Sequence, residues 1–106
     1  MTVQRAVREA FETHALDGLL TPTLPITAAR KDQAALAEAA YVRFCVAFNL
    51  AGVPALSVPC GFDALGLPIG LQIVGRPFGD STVLGIGHAY EQLTAWHVAQ
   101  PRSSLK

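Results

Sequence analysis

Three side chains in this sequence belong to types that carry nucleophilic catalysis: Ser57, Cys60 and His88. Cys60 ends a predicted strand and His88 lies on the last predicted helix, so the two could form a thiol–imidazole pair. No nucleophile-elbow or capping motif surrounds either residue. Ser57 lies within a predicted buried strand, where a hydroxyl usually bonds to its local neighbours. The residue types alone therefore do not make a complete catalytic site.

Metal and nucleotide sites follow spacing rules that the sequence meets only in fragments. His88 and Glu91 share a helix face at an i,i+3 spacing, but no second such pair completes a metal site. Residues 85–87 (GIG) lack the third glycine of a dinucleotide-binding turn. The S-x-x-K string at residues 103–106 follows a proline in a polar tail, so we regard it as accidental. We expect no metal ion and no cofactor.

The composition is unusually apolar for a chain of 106 residues, because hydrophobic residues make up 51% and charged residues 15%. Typical soluble domains contain about 25% charged residues. A chain of this length also buries only about 60–70% of the surface that its unfolded form exposes. We therefore expect the chain to be part of a larger domain, whose remaining part covers the excess apolar surface.

Charge and cysteine content argue against several classes of protein. Eight basic and eight acidic residues cancel, and neither sign forms a run, so we expect no nucleic-acid partner. No stretch reaches the roughly 18 apolar residues of a membrane-spanning helix, and the first residues lack the apolar core of a signal peptide. Cys45 and Cys60 lie inside apolar segments and not in a disulfide framework. These features favour a cytoplasmic protein without a membrane partner.

Apolar residues at helical spacing predict three helices. The first covers residues 3–16. The second begins near Asp32 as its N-cap and covers residues 34–48, and Gly52 and Pro54 after the apolar run end it. Its second half is apolar on nearly all sides, which predicts burial on several sides. Ser81 or Asp80 caps the third helix, which ends before Pro101, and residues 102–106 are expected to be frayed.

Short apolar runs predict two or three strands between these helices. Leu19–Thr21 is a short buried strand, and the prolines after it predict an extended loop over Thr21–Thr27. Ala55–Cys60 and Ile69–Val74 are two further strands, which Gly61–Pro68 joins as a hairpin-like connection. Polar residues do not alternate in either strand, so both faces should be covered. The pattern predicts a small, incomplete α/β unit that needs more sheet beside it than this chain supplies.

Four strings of the sequence carry a resemblance to a known family. They are residues 17–23 (DGLLTPT) with Pro25 and Ala28, residues 49–62 (NLAGVPALSVPCGF), residues 66–78 (GLPIGLQIVGRPF), and Tyr90-Glu91 followed by Trp96 and Pro101. In this order and spacing, residues 16–101 resemble the C-terminal part of amidase-signature enzymes. The family also contains the A subunits of the aminoacyl-tRNA amidotransferases.

The resemblance implies a large α/β domain around a mixed sheet, which hydrolyses carboxylic amides through a Ser–cis-Ser–Lys triad. In this family a serine is the nucleophile, and a lysine with a lowered pKa acts as the base. These elements belong to the N-terminal and middle parts of family members. No Gly-Gly-Ser-Ser-type stretch occurs here, and the only lysines, Lys31 and Lys106, lack a matching context. The resemblance therefore assigns no catalytic residue to this chain.

The resemblance also implies where a substrate channel passes this part of the chain. The channel would face the Thr21–Thr27 loop and the helix end before Asn49. The candidate pocket residues are Thr21, Pro22, Thr23, Phe48 and Asn49. Val42 stands where glutamine-using members tend to have an acidic residue. This difference favours a general amidase over an amidotransferase.

We therefore interpret residues 1–106 as a single unit, the C-terminal segment of an amidase domain whose N-terminal catalytic portion is absent. Alone it is expected to be inactive, and to cover its apolar surface by self-association or by binding the missing amidase portion. One alternative is a non-catalytic interaction module derived from an amidase fragment. A second alternative is a small enzyme that uses Cys60 and His88.

Overall fold

The computed structural model describes residues 2–100, with the side chain of Tyr41 excepted. Helices and strands follow one another in the predicted order, except that two helices stand where the sequence predicted the second one, and the fold is an α/β unit. In chain order the elements are α1 (Val3–Thr13), β1 (Leu19–Pro22), α2 (Ala34–Val42), α3 (Val46–Ala51), β2 (Ala55–Phe62), β3 (Pro68–Val74) and α4 (Asp80–Leu93). Two short 3-10 turns, Lys31–Gln33 and Trp96–Val98, precede α2 and follow α4.

The first helix has a side-chain cap and a defined end. Thr2 accepts a hydrogen bond on its Oγ1 from the Arg5 N–H at 3.2 Å, which satisfies one of the free N–H groups of the first turn. The helix ends at Thr13, three residues before the predicted end. The reason is that Ala15 adopts a left-handed φ of 51°, which lets the Leu16 N–H turn back to the Phe11 carbonyl at 3.0 Å.

The predicted second helix is divided into α2 and α3 by a turn at residues 43–45. Asp32 does not cap it, because this residue lies in the preceding 3-10 turn and its carboxylate accepts from Arg30 at 3.3 Å. Gly52 ends α3 in a left-handed conformation with φ of 70°, as its position after the apolar run predicted. The expected burial of the second half was wrong for this chain, because Val46 and Leu50 are exposed.

The three strands form one antiparallel sheet in the order β1-β3-β2. β2 and β3 make the predicted hairpin, with Ser57 opposite Gln72 and Val58 opposite Leu71. A bulge lies between Pro59 and Gly61, where the proline cannot donate to the ladder. β1 pairs with the other side of β3, so β3 is the central strand.

The core lies between the sheet and α4. Val58, Ile73 and Val83 form a buried apolar cluster, and partly buried side chains complete it: Leu56, Leu71, Ile86 and Tyr90. Cross-strand neighbours share a face, so Leu56 and Ile73 face α4 together.

Two-sided burial, which the sequence predicted for both strands, holds only for the second half of β3. Residues 72–75 are all buried, with Val74 facing away from α4. In β2 the prediction was wrong, because Ser57 and Pro59 are exposed on the face away from α4.

The last helix begins at Asp80 and follows a tight turn. Its N-cap is Gly79 and no side chain caps it, so the predicted caps Ser81 and Asp80 were wrong. Gly75 and Gly79 let the chain turn closely, since a Cβ on Gly75 would overlap Val83 Cγ2. The predicted frayed tail and the S-x-x-K string lie outside the described residues.

Candidate functional site

A groove of about 760 Å³ opens on the face of the sheet that α4 does not cover. It is lined by Pro22 at the end of β1, residues 23–28 of the loop that follows, residues 57–59 of β2 and residues 68–70 of β3. All of these residues are uncharged, and most are apolar. The volume falls within the range of about 300–1,000 Å³ that small-molecule pockets occupy.

The loop that forms one wall is held in an extended shape by its prolines and by three contacts. At its start, the Thr23 N–H donates to the Gly70 carbonyl at 3.1 Å. Cys45 Sγ donates to the Thr23 carbonyl at 3.5 Å, which joins the turn between α2 and α3 to the loop. Near its end, Thr27 Oγ1 donates to Asp63 Oδ2 at 2.7 Å. The wall is therefore attached at both ends.

A pair of hydroxyl groups lies on the sheet side of the groove. Thr23 Oγ1 and Ser57 Oγ are 2.6 Å apart, and either atom could donate. A Cβ on Gly70 would lie 2.9 Å from each of these oxygens, so only glycine leaves them uncovered here. The sequence placed Ser57 in a buried strand, whereas the structure exposes it on the groove side of β2.

Asp63 connects the hairpin turn with the loop. Its Oδ1 accepts from the N–H groups of Leu65 and Leu67, both at 2.9 Å, while Oδ2 accepts from Thr27. The hydrogen bond from Thr27, and then the one from Leu67, hold the pKa of the Asp63 carboxyl below its ordinary value of 3.8. The ionised carboxylate is thus the form that fits this junction.

The structure separates the five predicted pocket residues into two groups. Pro22 and Thr23 line the groove. Thr21, Phe48 and Asn49 do not line it: the Thr21 hydroxyl accepts from Gln72 Nε2 at 2.9 Å, and the other two residues lie on α3. A role in substrate binding stays a prediction for all five.

Gln72 has a structural role that the sequence reading missed. It is 4% exposed, and its Nε2 donates both to Thr21 Oγ1 and to the Phe44 carbonyl at 3.0 Å. These bonds attach the turn between α2 and α3 to the central strand. The sequence did contain a signal for this role, because Gln72 is the single amide in the apolar run of β3. A buried amide needs hydrogen-bond partners.

The alternative catalytic pair is not joined in the structure. Cys60 Sγ donates to the Ile69 carbonyl at 3.5 Å, and no hydrogen bond links it to His88 within residues 2–100. Both cysteines are free thiols. Among the same residues, no group of three or more His, Cys, Asp or Glu side chains could hold a metal ion. No helix in the described part of the chain is long and apolar enough to cross a membrane.

Comparison with known proteins gives one family. The Amidase family matches residues 1–84 of this chain. The A subunit of the glutamyl-tRNA(Gln) amidotransferase of Nostoc sp. is 42% identical, over 96% of this chain and 22% of that protein. An amidase of Pseudomonas putida is 41% identical, over 93% of this chain and 22% of that protein.

Solved structures agree with these relatives. The crystal structure of the A subunit of the glutamyl-tRNA(Gln) amidotransferase from Thermotoga maritima matches with a TM-score of 0.75 and 36% identity, over 87% of this chain and 20% of that one. A crystal structure of an amidase matches with a TM-score of 0.71 and 26% identity, over 87% of this chain and 23% of that one. This chain spans about a fifth of the length of the relatives it matches. The chain belongs to the amidase family.

Proposed function

We propose that residues 1–106 are the C-terminal segment of an amidase-type hydrolase and form one wall of its substrate pocket. The observation that carries this proposal is the groove between the loop after β1 and the β2–β3 hairpin, in a chain that spans about a fifth of its relatives. In the complete enzyme this wall would hold a carboxylic amide while catalytic groups from the remaining portion cleave its C–N bond. The loop and the hairpin would fix the shape of the pocket, since they are joined at Gly70 and at Asp63.

We further propose that the chain has no amidase activity alone. Hydrolysis by this family needs a nucleophile with an adjacent base. In residues 2–100 the hydroxyl of Ser57, the serine that lines the groove, is bonded to the Thr23 hydroxyl and not to a lysine or histidine. Lys31 is exposed in the 3-10 turn before α2.

One feature of the sequence and one of the structure support a general amidase as the complete enzyme. Val42 occupies the position where glutamine-using members tend to be acidic, and it is exposed at the end of α2. The groove wall also offers no charged side chain for the charged groups of free glutamine.

The free thiols of Cys45 and Cys60 favour a cytoplasmic location.

The direct test is a chimera in which this chain replaces the aligned segment of the Pseudomonas putida amidase. We expect the chimera to release ammonia from a simple amide, because the wall should complete the pocket of its relative. The matched control is the same amidase with the segment deleted, which should release none. A folded chimera without turnover would contradict the proposed role of the wall.

The proposed inactivity has its own test, which is ammonia release by the purified chain from a panel of simple amides. We expect no release above that of buffer. Release that follows the chain through purification would contradict the proposal. Cys60→Ala and His88→Ala would then decide whether the Cys/His alternative is responsible.

A further inference from the structure

Among the described residues that line the groove, one pair of side chains can donate a hydrogen bond to a ligand. Three of these residues carry side-chain hydroxyls: Thr23, Thr27 and Ser57. Thr27 donates its proton to Asp63, so it has no donor left for a ligand. The Thr23–Ser57 pair has two O–H groups and uses only one of them in its mutual bond. One donor and several lone pairs of this pair therefore stay available.

Gly70 makes this hydroxyl pair accessible from the groove. Any side chain at position 70 would place its Cβ 2.9 Å from both Thr23 Oγ1 and Ser57 Oγ. Contacts of this length are shorter than van der Waals contact, so a larger residue would cover or displace the hydroxyls. Position 70 also holds the loop, because its carbonyl accepts from the Thr23 N–H.

The surroundings of the pair favour a polar group without negative charge. Among residues 2–100, the lining of the groove has no cation that could compensate a carboxylate for the loss of its hydration. The charged group attached to the wall is Asp63, a carboxylate that binds Thr27 and would repel a second one. An amide or hydroxyl, in contrast, can both donate to and accept from the hydroxyl pair.

We propose that the Thr23–Ser57 hydroxyl pair, left open by Gly70, is the specificity-determining contact of the groove and selects ligands with an uncharged polar group over anionic ones. This inference rests on the proposed function, in which the groove is a substrate wall. It concerns binding by this chain, so it is tested without turnover.

The experiment compares benzamide with benzoate, which have nearly the same shape and differ in charge. Each is titrated into the ¹⁵N-labelled 106-residue chain, and the amide resonances of the groove are followed by NMR. We expect benzamide to shift resonances in the loop after β1 and in the β2–β3 hairpin. Benzoate should bind at least about tenfold more weakly, because its charge loses hydration without gaining a cation.

Two variants separate the hydroxyl pair from the rest of the wall. The double variant Thr23→Val and Ser57→Ala removes both hydroxyls and should weaken benzamide binding about fivefold. Gly70→Ala retains both hydroxyls and covers them, and it should weaken binding at least as much. The matched control is Ser81→Ala, which removes an exposed hydroxyl from α4, outside the groove, and should leave the affinity unchanged. The amide spectrum of each free variant reports whether it is folded.

Equal affinity for benzamide and benzoate would overturn the proposal, as would unchanged benzamide binding in both groove variants. The NMR titration and the chimera assay can fail independently, so the failure of this inference can be told apart from the failure of the proposed function. A chimera without turnover, together with benzamide binding that depends on the hydroxyl pair, would retain this inference and reject the hydrolase. An active chimera, together with equal binding of benzamide and benzoate, would retain the hydrolase and reject this inference.

Discussion

The carboxylate of Asp63 attaches the loop of the groove wall to the hairpin turn. It holds Thr27 and the Leu67 N–H, and its pKa is lowered by these bonds from the ordinary value of 3.8. A carboxyl with a lowered folded pKa adds stability above its unfolded pKa and loses it as the pH falls through the folded value. We therefore expect Asp63 to stabilise the chain at neutral pH, and this contribution to be lost progressively as the pH falls below 3.8 and through the lower pKa of the folded state.

The measurement for Asp63 is the urea midpoint of wild type and Asp63→Asn, from neutral pH to below pH 3.8. The variant should be less stable at neutral pH, and the difference should shrink as the pH falls. The control Asp17→Asn changes an exposed carboxylate for which the described residues provide no hydrogen bond, and it should not show this pattern. A pH-independent difference for Asp63→Asn would contradict the assignment.

Arg76 joins the end of α1 to the turn after β3. Its guanidinium donates to the Leu16 carbonyl at 2.9 and 2.7 Å and lies 5.8 Å from the centre of the buried Phe11 ring. Charged hydrogen bonds to backbone carbonyls that have no helical partner contribute more than neutral ones. We expect Arg76→Ala to lower the free energy of unfolding by about 1–2 kcal/mol, after allowance for its exposure.

The same urea measurement on Arg5→Ala provides the comparison for Arg76. Arg5 forms an exposed i,i+4 ion pair with Glu9 at 2.9 Å, and such pairs contribute about 0.3–0.5 kcal/mol. Equal effects for the two substitutions would mean that Arg76 acts only as a surface charge.

At the scale of elements, the contact between β3 and α4 requires a residue without a side chain, Gly75, directly after β3. A Cβ at Gly75 would overlap Val83 Cγ2 and lie 3.3 Å from both the Gly79 carbonyl and Pro54. Val83 is a β-branched residue with a restricted rotamer in a helix, so it cannot move aside easily. We expect Gly75→Ala to destabilise the fold by about 1–3 kcal/mol.

Gly85 provides the opposite expectation within α4. Nothing lies within 4 Å of the position that its Cβ would occupy. Replacing an exposed glycine inside a helix by alanine stabilises it by about 1 kcal/mol, so Gly85→Ala should raise the thermal midpoint while Gly75→Ala lowers it. If both substitutions shifted the thermal midpoint in the same direction, helix propensity and close packing would not explain their effects.

The sequence predicted the elements of this fold well, since apolar periodicity, prolines and glycines act locally. It placed the strands of the hairpin, and it placed the end of α3 at Gly52. It did not predict the turn that divides α2 from α3, because the helical pattern of residues 34–48 runs through this turn without a break. That turn depends on the bond from Gln72 to the Phe44 carbonyl, which joins residues far apart in sequence.

The candidate site was predictable to a smaller extent for the same physical reason. Pro22 and Thr23 were chosen from a loop string, and they line the groove. Phe48 and Asn49 lie on α3 and do not line the groove. The roles of Ser57, Gly70 and Asp63 come from contacts between the loop and the hairpin, and no local pattern encodes such contacts.

At the scale of the whole molecule, the chain is thin and leaves much apolar surface uncovered. It measures 49 × 35 × 18 Å, and its radius of gyration is 15.6 Å, against about 13 Å for a compact domain of this length. Leu36 on α2 is 88% exposed, and Leu50 on α3 is 63% exposed. Apolar surface of this kind usually marks a contact with another chain or with another part of the same protein.

We therefore expect the isolated chain to associate as its concentration rises, through exposed apolar side chains such as Leu36 on α2 and Leu50 on α3. Burying leucine side chains favours association, whereas burying a carboxylate in the same place opposes it. Light scattering should thus show a smaller mean mass for the double variant Leu36→Glu and Leu50→Glu. The control is Leu93→Glu, which places the same charge at the end of α4, where the wild-type leucine is 84% exposed. If all three proteins were monodisperse monomers, these leucines would not drive self-association, and the remaining portion of the proposed amidase would be the partner to test first.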